Sequence, residues 1–193
     1  MEIVIFIFEI LGTAVFAASG VLTAINKKLD LFGAVILGVT TAVGGGVIRD
    51  IILGITPPVV FVHPIYAAAA IAASCIALLP GVRKYLMKDN VMYNNVMFAL
   101  DTVGLGIFTM MGVQTACEAV SDCNNILTVF VGVITGVGGG LMRDIFSGSV
   151  PYIFVKHVYA CAAIAGAVCA ALLWDFVGNF HAMAIGMLVI VAI

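Results

Sequence analysis

The chain has 193 residues, of which 64% are hydrophobic and 9% are charged, and its mean hydropathy is +1.26. A soluble domain needs more charge to stay solvated, so this composition excludes a water-soluble globular protein and indicates a bilayer as the solvent. The net charge of -2 says little about partners, but the lack of a basic run argues against nucleic acid. At about 20 apolar residues per spanning helix, the length accommodates about seven spans in a single transmembrane domain, residues 1–193.

Apolar windows predict an all-α membrane protein with seven transmembrane helices. The first helix begins near the N-terminus, where Glu2 and Glu9 replace the basic residues of a signal peptide, so we expect this helix to be retained. The predicted helices cover residues 3–24, 30–54, 60–80, 92–115, 125–148, 152–173 and 178–193.

The loops between these helices alternate in charge. Lys and Arg occur after the first, third and fifth helices, whereas the loops after the second, fourth and sixth helices carry none or are acidic. Because cytoplasmic loops are enriched in Lys and Arg, this pattern predicts an N-terminus outside and a cytoplasmic C-terminus. The basic loop residues are Lys27, Lys28, Arg83, Lys84, Lys88 and Lys156, and the acidic ones are Glu118, Asp122 and Asp175.

A glycine-rich motif occurs twice: residues 44–50 read GGGVIRD and residues 138–144 read GGGLMRD. Each copy belongs to a longer unit of three predicted helices, at about 3–84 and about 92–173, with a seventh helix at about 178–193 outside the duplication. An odd number of helices per unit makes the second copy enter from the opposite side, so the sequence predicts an inverted repeat. The matched pairs are Glu9 and Asp101, Gly12 and Gly104, Phe16 and Phe108, Gly20 and Gly112, Gly38 and Gly132, and Tyr66 and Tyr159.

The glycine triplets Gly44–Gly46 and Gly138–Gly140 lie inside the second and fifth predicted helices. Each interior glycine costs about 0.5–1 kcal/mol of helix stability relative to alanine. We therefore expect both helices to be kinked or unwound at GGG, to meet near the midplane, and to line a wet path with freed peptide groups. The alternative is that the glycines permit close helix packing. Thr40, Thr41 and Thr135 either line the path or bond back to their own helices.

Six charged residues fall within the predicted spans. An ionised side chain there costs about 2.5–3.5 kcal/mol, so we expect each arginine to be neutralised by a carboxylate from the same or the opposite repeat. The Arg–Asp pairs are then either part of a cation path or structural latches. The six residues are Glu9, Arg49, Asp50, Asp101, Arg143 and Asp144.

The remaining polar residues give weaker signals. Tyr66 and Tyr159 are typical of residues at a membrane interface. The sequence contains no recognisable nucleophile–base pair, metal-ligand cluster or cofactor motif, so we expect no enzymatic activity, no cofactor and no metal.

The GGGxxRD motif in helices two and five, within seven spans and a three-plus-three repeat, resembles prokaryotic members of the trimeric intracellular cation (TRIC) channel family, also described as a glycine-transporter-type family. The resemblance covers nearly the whole chain. It implies a homotrimer in a prokaryotic plasma (inner) membrane, with lipid around it and one pore per protomer bounded by kinked helices two and five. It also implies conduction of monovalent cations, potassium in preference to sodium. By position, Gly44 to Gly46, Arg49, Asp50, Gly138 to Gly140, Arg143 and Asp144 match the family motif.

Two other functions remain compatible with the sequence. An inverted repeat also suits an alternating-access carrier of a small solute such as glycine. In such a carrier, the N-termini of half-helices would bind the carboxylate of the solute. A structural membrane subunit would require dry, fully packed repeat segments. A channel passes discrete unitary currents, whereas a carrier gives saturable uptake, so the two transport functions are distinguishable by experiment.

Overall fold

The computed structural model describes residues 2–86, 89–120, 124–155 and 157–193, and regular structure within these ranges is helical. Three residues that contribute to the predicted orientation, Lys88, Asp122 and Lys156, lie outside them. The helices are α1 (Glu2–Asn26), α2 (Leu31–Ile52), α3 (Val59–Val62), α4 (Ile65–Leu78), α5 (Pro80–Leu86), α6 (Asn90–Ala119), α7 (Asn125–Phe146), α8 (Tyr152–Val155), α9 (His157–Val177) and α10 (Asn179–Ala192).

Five helices in the described ranges, α1, α2, α6, α7 and α9, are long and apolar enough to cross a membrane. Helices α4 and α10 are apolar as well, but each has 14 residues and extends about 21 Å at 1.5 Å per residue. They lie within the third and seventh predicted helices. An all-helical membrane protein is therefore confirmed, whereas seven complete spans stay a prediction.

Side-chain caps and prolines explain where several helices begin. Asp30 accepts a hydrogen bond from the Gly33 amide at 2.7 Å at the start of α2, and Asp89 accepts one from Met92 at 2.7 Å at the start of α6. The third predicted helix, 60–80, is divided into α3, α4 and α5, and Pro64 immediately precedes α4. Proline favours the start of a helix because it lacks the N–H that an interior turn would use.

The two glycine triplets meet where α2 and α7 cross. A Cβ on Gly45 would collide with the carbonyl oxygen of Thr135, and a Cβ on Gly139 would collide with that of Thr41. Both helices stay helical through the triplets, so the predicted unwinding at GGG is wrong. The glycines instead allow two backbones to touch, because no side chain separates them. A kink that preserves the helical hydrogen bonds stays a prediction.

Other close contacts recur at positions that the sequence repeat matches. A Cβ on Gly20 of α1 would lie 2.6 Å from the hydroxyl of Thr41, and a Cβ on Gly112 of α6 would lie 2.6 Å from the hydroxyl of Thr135. Thus α1 packs on α2 as α6 packs on α7. Large apolar side chains such as Ile126 and Phe176 face outward, with 82% and 85% exposure, as expected of a surface solvated by lipid.

Candidate functional site

The first charged cluster forms at the end of α2, where Arg49 and Asp50 are both buried. The Nε of Arg49 donates a hydrogen bond to Oδ1 of Asp50 at 2.8 Å. The other carboxylate oxygen, Oδ2, accepts the backbone N–H of Val59 at 2.8 Å. Because Val59 begins α3, Asp50 both pairs with the arginine and joins the end of α2 to the next helix.

The second cluster repeats this arrangement at the end of α7. The Nε of Arg143 donates to Oδ1 of Asp144 at 2.8 Å, and Oδ2 of Asp144 accepts the backbone N–H of Tyr152 at 2.9 Å. Tyr152 begins α8, the counterpart of α3. Each predicted Arg–Asp pair is therefore present, and each also acts as a latch between two helices.

Asp101 and Ser19 complete the second cluster. The Nη1 of Arg143 contacts both Oδ1 of Asp101 and the Ser19 hydroxyl, and that hydroxyl donates to Asp101 at 2.9 Å. Arg143 is only 1% exposed and Asp101 only 3%. The carboxylates that neutralise Arg143 come from its own repeat, while the contact from the other repeat is the Ser19 hydroxyl. The cluster ties α1, α6 and α7 together and is sealed from solvent.

In the first cluster, the carboxylate that corresponds to Asp101 does not enclose the arginine. Glu9, the counterpart of Asp101, accepts a hydrogen bond from the hydroxyl of Tyr66. A cavity of about 50 Å³ is lined by Glu9, Tyr66, Arg49 and Asp50 together with residues of α1, α2, α3 and α6. A cavity of this size, bordered by charged side chains, has room for at least one water molecule. The two clusters thus share their Arg–Asp latch and differ in what surrounds the arginine.

The two matched tyrosines show the same difference. The Tyr66 hydroxyl donates to Glu9, whereas the Tyr159 hydroxyl is buried without a hydrogen-bond partner among the described residues. A Cβ on Gly140 would lie 3.4 Å from the Tyr159 hydroxyl and 3.8 Å from Arg143, so this tyrosine borders the second cluster. The interfacial interpretation of these tyrosines missed their place beside the charged residues.

Two of the three threonines predicted to line a path bond to their own helices instead. Thr41 and Thr135 are fully buried, and each donates a hydrogen bond of 2.6 Å to a carbonyl of its own helix, Leu37 and Val131 respectively. Of the two alternatives for these residues, bonding back to the helix is therefore confirmed. Thr40 is half-buried, and its path-lining role stays a prediction.

Ser19 is a residue of the second cluster that the sequence did not indicate. Ser19 aligns with Met111 in the second repeat, so comparing the repeats gives no signal for it. Tyr66 offered a signal, because it matches Tyr159 and follows the first Arg–Asp motif at nearly the same spacing.

The fold and these clusters define a helical, multi-pass membrane protein with two matched, buried Arg–Asp sites. A family model described as "Glycine transporter" matches residues 6–80 and 98–175. The chain is 38% identical over 160 residues to the UPF0126 inner membrane protein YadS of Escherichia coli (strain K12), which covers 83% of this chain and 74% of that protein. It is 35% identical over 184 residues to a UPF0126 membrane protein of Deinococcus radiodurans, covering 94% of this chain and 82% of that protein.

Solved structures resemble this chain over nearly its whole length. A prokaryotic TRIC channel in 0.5 M KCl is similar with a TM-score of 0.88 and 29% identity, covering 100% of this chain and 96% of the other. The TRIC orthologue from Rhodobacter sphaeroides is similar with a TM-score of 0.85 and 29% identity, covering 98% and 94%. The chain belongs to the prokaryotic TRIC family, whose sequence model carries the description glycine transporter.

Proposed function

We propose that this chain is a cation channel of a prokaryotic inner membrane. The observation that carries the proposal is its similarity to solved TRIC channels over 96–100% of its length, at 29–34% identity and TM-scores of 0.80–0.88. One of these structures concerns conductance through TRIC cation channels. The relative from Escherichia coli is named an inner membrane protein, which supports that location.

The charges of the two clusters support cation passage. Each cluster contains two carboxylates and one guanidinium: Glu9, Asp50 and Arg49 around the cavity, and Asp101, Asp144 and Arg143 in the sealed cluster. Each cluster therefore has a formal excess of one negative charge. In a low-dielectric surrounding such an excess attracts cations and repels anions.

The proposed path runs through each protomer between the two clusters, which belong to oppositely oriented repeats. The cavity beside Arg49 is its accessible half, and the cluster around Arg143 is its closed half. Conduction requires the Arg143 side chain to move out of the sealed cluster, so this side chain acts as an electrostatic plug. The recurrence of glycine contacts at matched positions supports the inverted repeat on which this geometry depends.

The finer parts of the proposal follow the family. We propose a homotrimer with one pore per protomer, seven spans with the N-terminus outside, and a preference for potassium over sodium. Native mass spectrometry in detergent tests the trimer. Reversal potentials with potassium on one side and sodium on the other test the preference, since equal permeability gives a reversal potential of zero.

Reconstitution into liposomes tests the proposed function directly. Potassium flux and uptake of labelled glycine are measured on the same preparation, with protein-free liposomes as the control, and the same protein is recorded in planar bilayers. We expect unitary potassium currents and no glycine uptake above the control. Saturable glycine uptake with counterflow, in the absence of unitary currents, would instead identify a carrier and overturn the channel proposal.

A further inference from the structure

Two phenylalanines that match in the sequence repeat pack against each other in the interior of the protein. The ring centroids of Phe16 on α1 and Phe108 on α6 are 5.2 Å apart, and the ring planes differ by 21°. Both side chains are buried, with exposures of 1% and 8%. Since the two residues occupy equivalent positions in the two repeats, the stacked pair lies where the repeats meet.

The stacked rings contact both the cavity of the first cluster and the helix that carries the arginine of the second. Phe108 lines the cavity that contains Arg49 and Glu9. Phe16 lies against α7 at Gly139, where an added Cβ would be 2.8 Å from the ring. Gly139 precedes Arg143 by four residues, which places both on one face of α7. A path from one cluster to the other therefore meets the aromatic pair.

Glycines hold Phe16 on two sides. A Cβ added to Gly104 of α6 would collide with the Phe16 ring, and a Cβ added to Gly139 of α7 would lie 2.8 Å from it. Both missing side chains create the space that the ring fills. Phe16 is thus fixed in a close-fitting recess.

Phe108 has such a close glycine contact at one position only. Gly12, the counterpart of Gly104, would place a Cβ 3.2 Å from the Phe108 ring. Gly45, the counterpart of Gly139, has backbone atoms of Thr135 and Gly139 as its nearest neighbours instead of the Phe108 ring. Phe108 also borders the cavity, so the ring has free volume next to it on the side of Glu9 and Arg49.

We propose that the Phe16–Phe108 pair is a hydrophobic gate and that Phe108 is the side chain that moves. This inference rests on the proposed channel function and adds a second closed barrier, the Phe16–Phe108 contact, to the plug at Arg143. Two stacked rings offer a cation no polar ligand and exclude the water that would hydrate it. Movement of Phe108 into the cavity separates the rings and allows water to connect the two clusters.

Planar-bilayer recording in symmetrical potassium chloride tests the gate. For Phe108→Ala we expect open probability to rise about tenfold over the wild type, the change that about 1.4 kcal/mol in the closed–open equilibrium produces. Phe98→Ala is the matched control, because Phe98 lies on the same helix but is 72% exposed. Its open probability should equal that of the wild type.

A second variant keeps the test informative if Phe108→Ala does not fold. Phe108→Leu retains an apolar side chain but removes the flat ring that stacks, and we expect its open probability to lie between those of the wild type and Phe108→Ala. Unchanged open probability in a folded Phe108 variant, with a conducting wild type, would overturn the gate and leave the channel function standing. A wild type without unitary cation currents would overturn the channel function itself.

Discussion

The two Arg–Asp clusters have the same latch but different surroundings, and this difference indicates how the chain uses its duplication. In the half with Arg143, Asp101 and a hydroxyl from the other repeat enclose the guanidinium. In the half with Arg49, the equivalent carboxylate is held by a tyrosine and a cavity remains. Repetition thus provides the frame of both sites, while the different hydrogen-bond partners of the matched carboxylates distinguish the sealed site from the other.

Replacing each arginine should give the largest difference in stability between the two clusters. Arg143→Ala leaves Asp101 and Asp144 buried without their cation, and loss of a buried pair's partner costs about 3–5 kcal/mol of unfolding free energy. Arg49→Ala should cost less, because the cavity beside Arg49 and Asp50 admits water to the carboxylate that is left without its cation. Thermal unfolding of both variants in one detergent measures the difference. Equal losses would show that the two clusters are equally sealed.

Ser19→Ala should weaken the seal without removing a charge. The Ser19 hydroxyl bonds both Arg143 and Asp101, and hydrogen bonds to charged groups contribute about 1.5–3 kcal/mol. We expect lower thermal stability together with faster potassium flux in liposomes. Ser74→Ala is the control, since Ser74 bonds a carbonyl within its own helix and should leave the flux unchanged. Wild-type flux and stability for Ser19→Ala would exclude Ser19 from the seal.

Alanine substitutions in the two glycine triplets should lower stability by different amounts. Gly45→Ala and Gly139→Ala both press against backbone of the facing helix, and overpacking typically costs about 1–3 kcal/mol. Gly139→Ala should cost more, because its Cβ also meets the Phe16 ring. Chemical or thermal unfolding measures the ranking. Gly81→Ala is the control, because no atom lies within 4 Å of its Cβ position, and a loss there equal to that in the triplets would remove the packing explanation.

The smallest expected effect is at the matched tyrosines. Tyr66→Phe removes the hydrogen bond to Glu9, which is only partly buried, unlike those of Ser19, and should cost about 0.5–1.5 kcal/mol of unfolding free energy. Tyr159→Phe removes a buried hydroxyl without a partner in the described part of the chain, so it should be neutral or stabilising. Unfolding midpoints of the two variants give the comparison. A reversed order would mean that the Tyr159 hydroxyl has the stronger partner.

The sequence predicted the membrane class, the repeated unit and the charged residues, because these depend on composition and on periodic matches. It predicted both Arg–Asp pairs, since a charge at membrane depth requires a partner. Its expectation of unwinding at GGG was wrong, because helix propensity weighs against glycine while the packing of α2 on α7 outweighs that cost. Local sequence does not reveal which distant backbone a glycine touches.

The difference between the two halves could not be predicted from the sequence for a related reason. Glu9 and Asp101 match in the repeat, yet one is held by Tyr66 and the other by Arg143 and Ser19. Which of several nearby donors a carboxylate meets depends on distances of a few ångströms across helices. A repeat alignment gives both halves the same role and therefore hides this difference.

The most direct test compares water access at two matched glycines, Gly46 beside Arg49 and Gly140 beside Arg143. Gly46→Cys and Gly140→Cys are made separately in a chain whose native cysteines are replaced, and a water-soluble thiol reagent is applied to both sides of the membrane. We predict rapid modification of the Gly46→Cys variant and slow modification of the Gly140→Cys variant. Equal rates at the two positions would contradict one accessible and one sealed half.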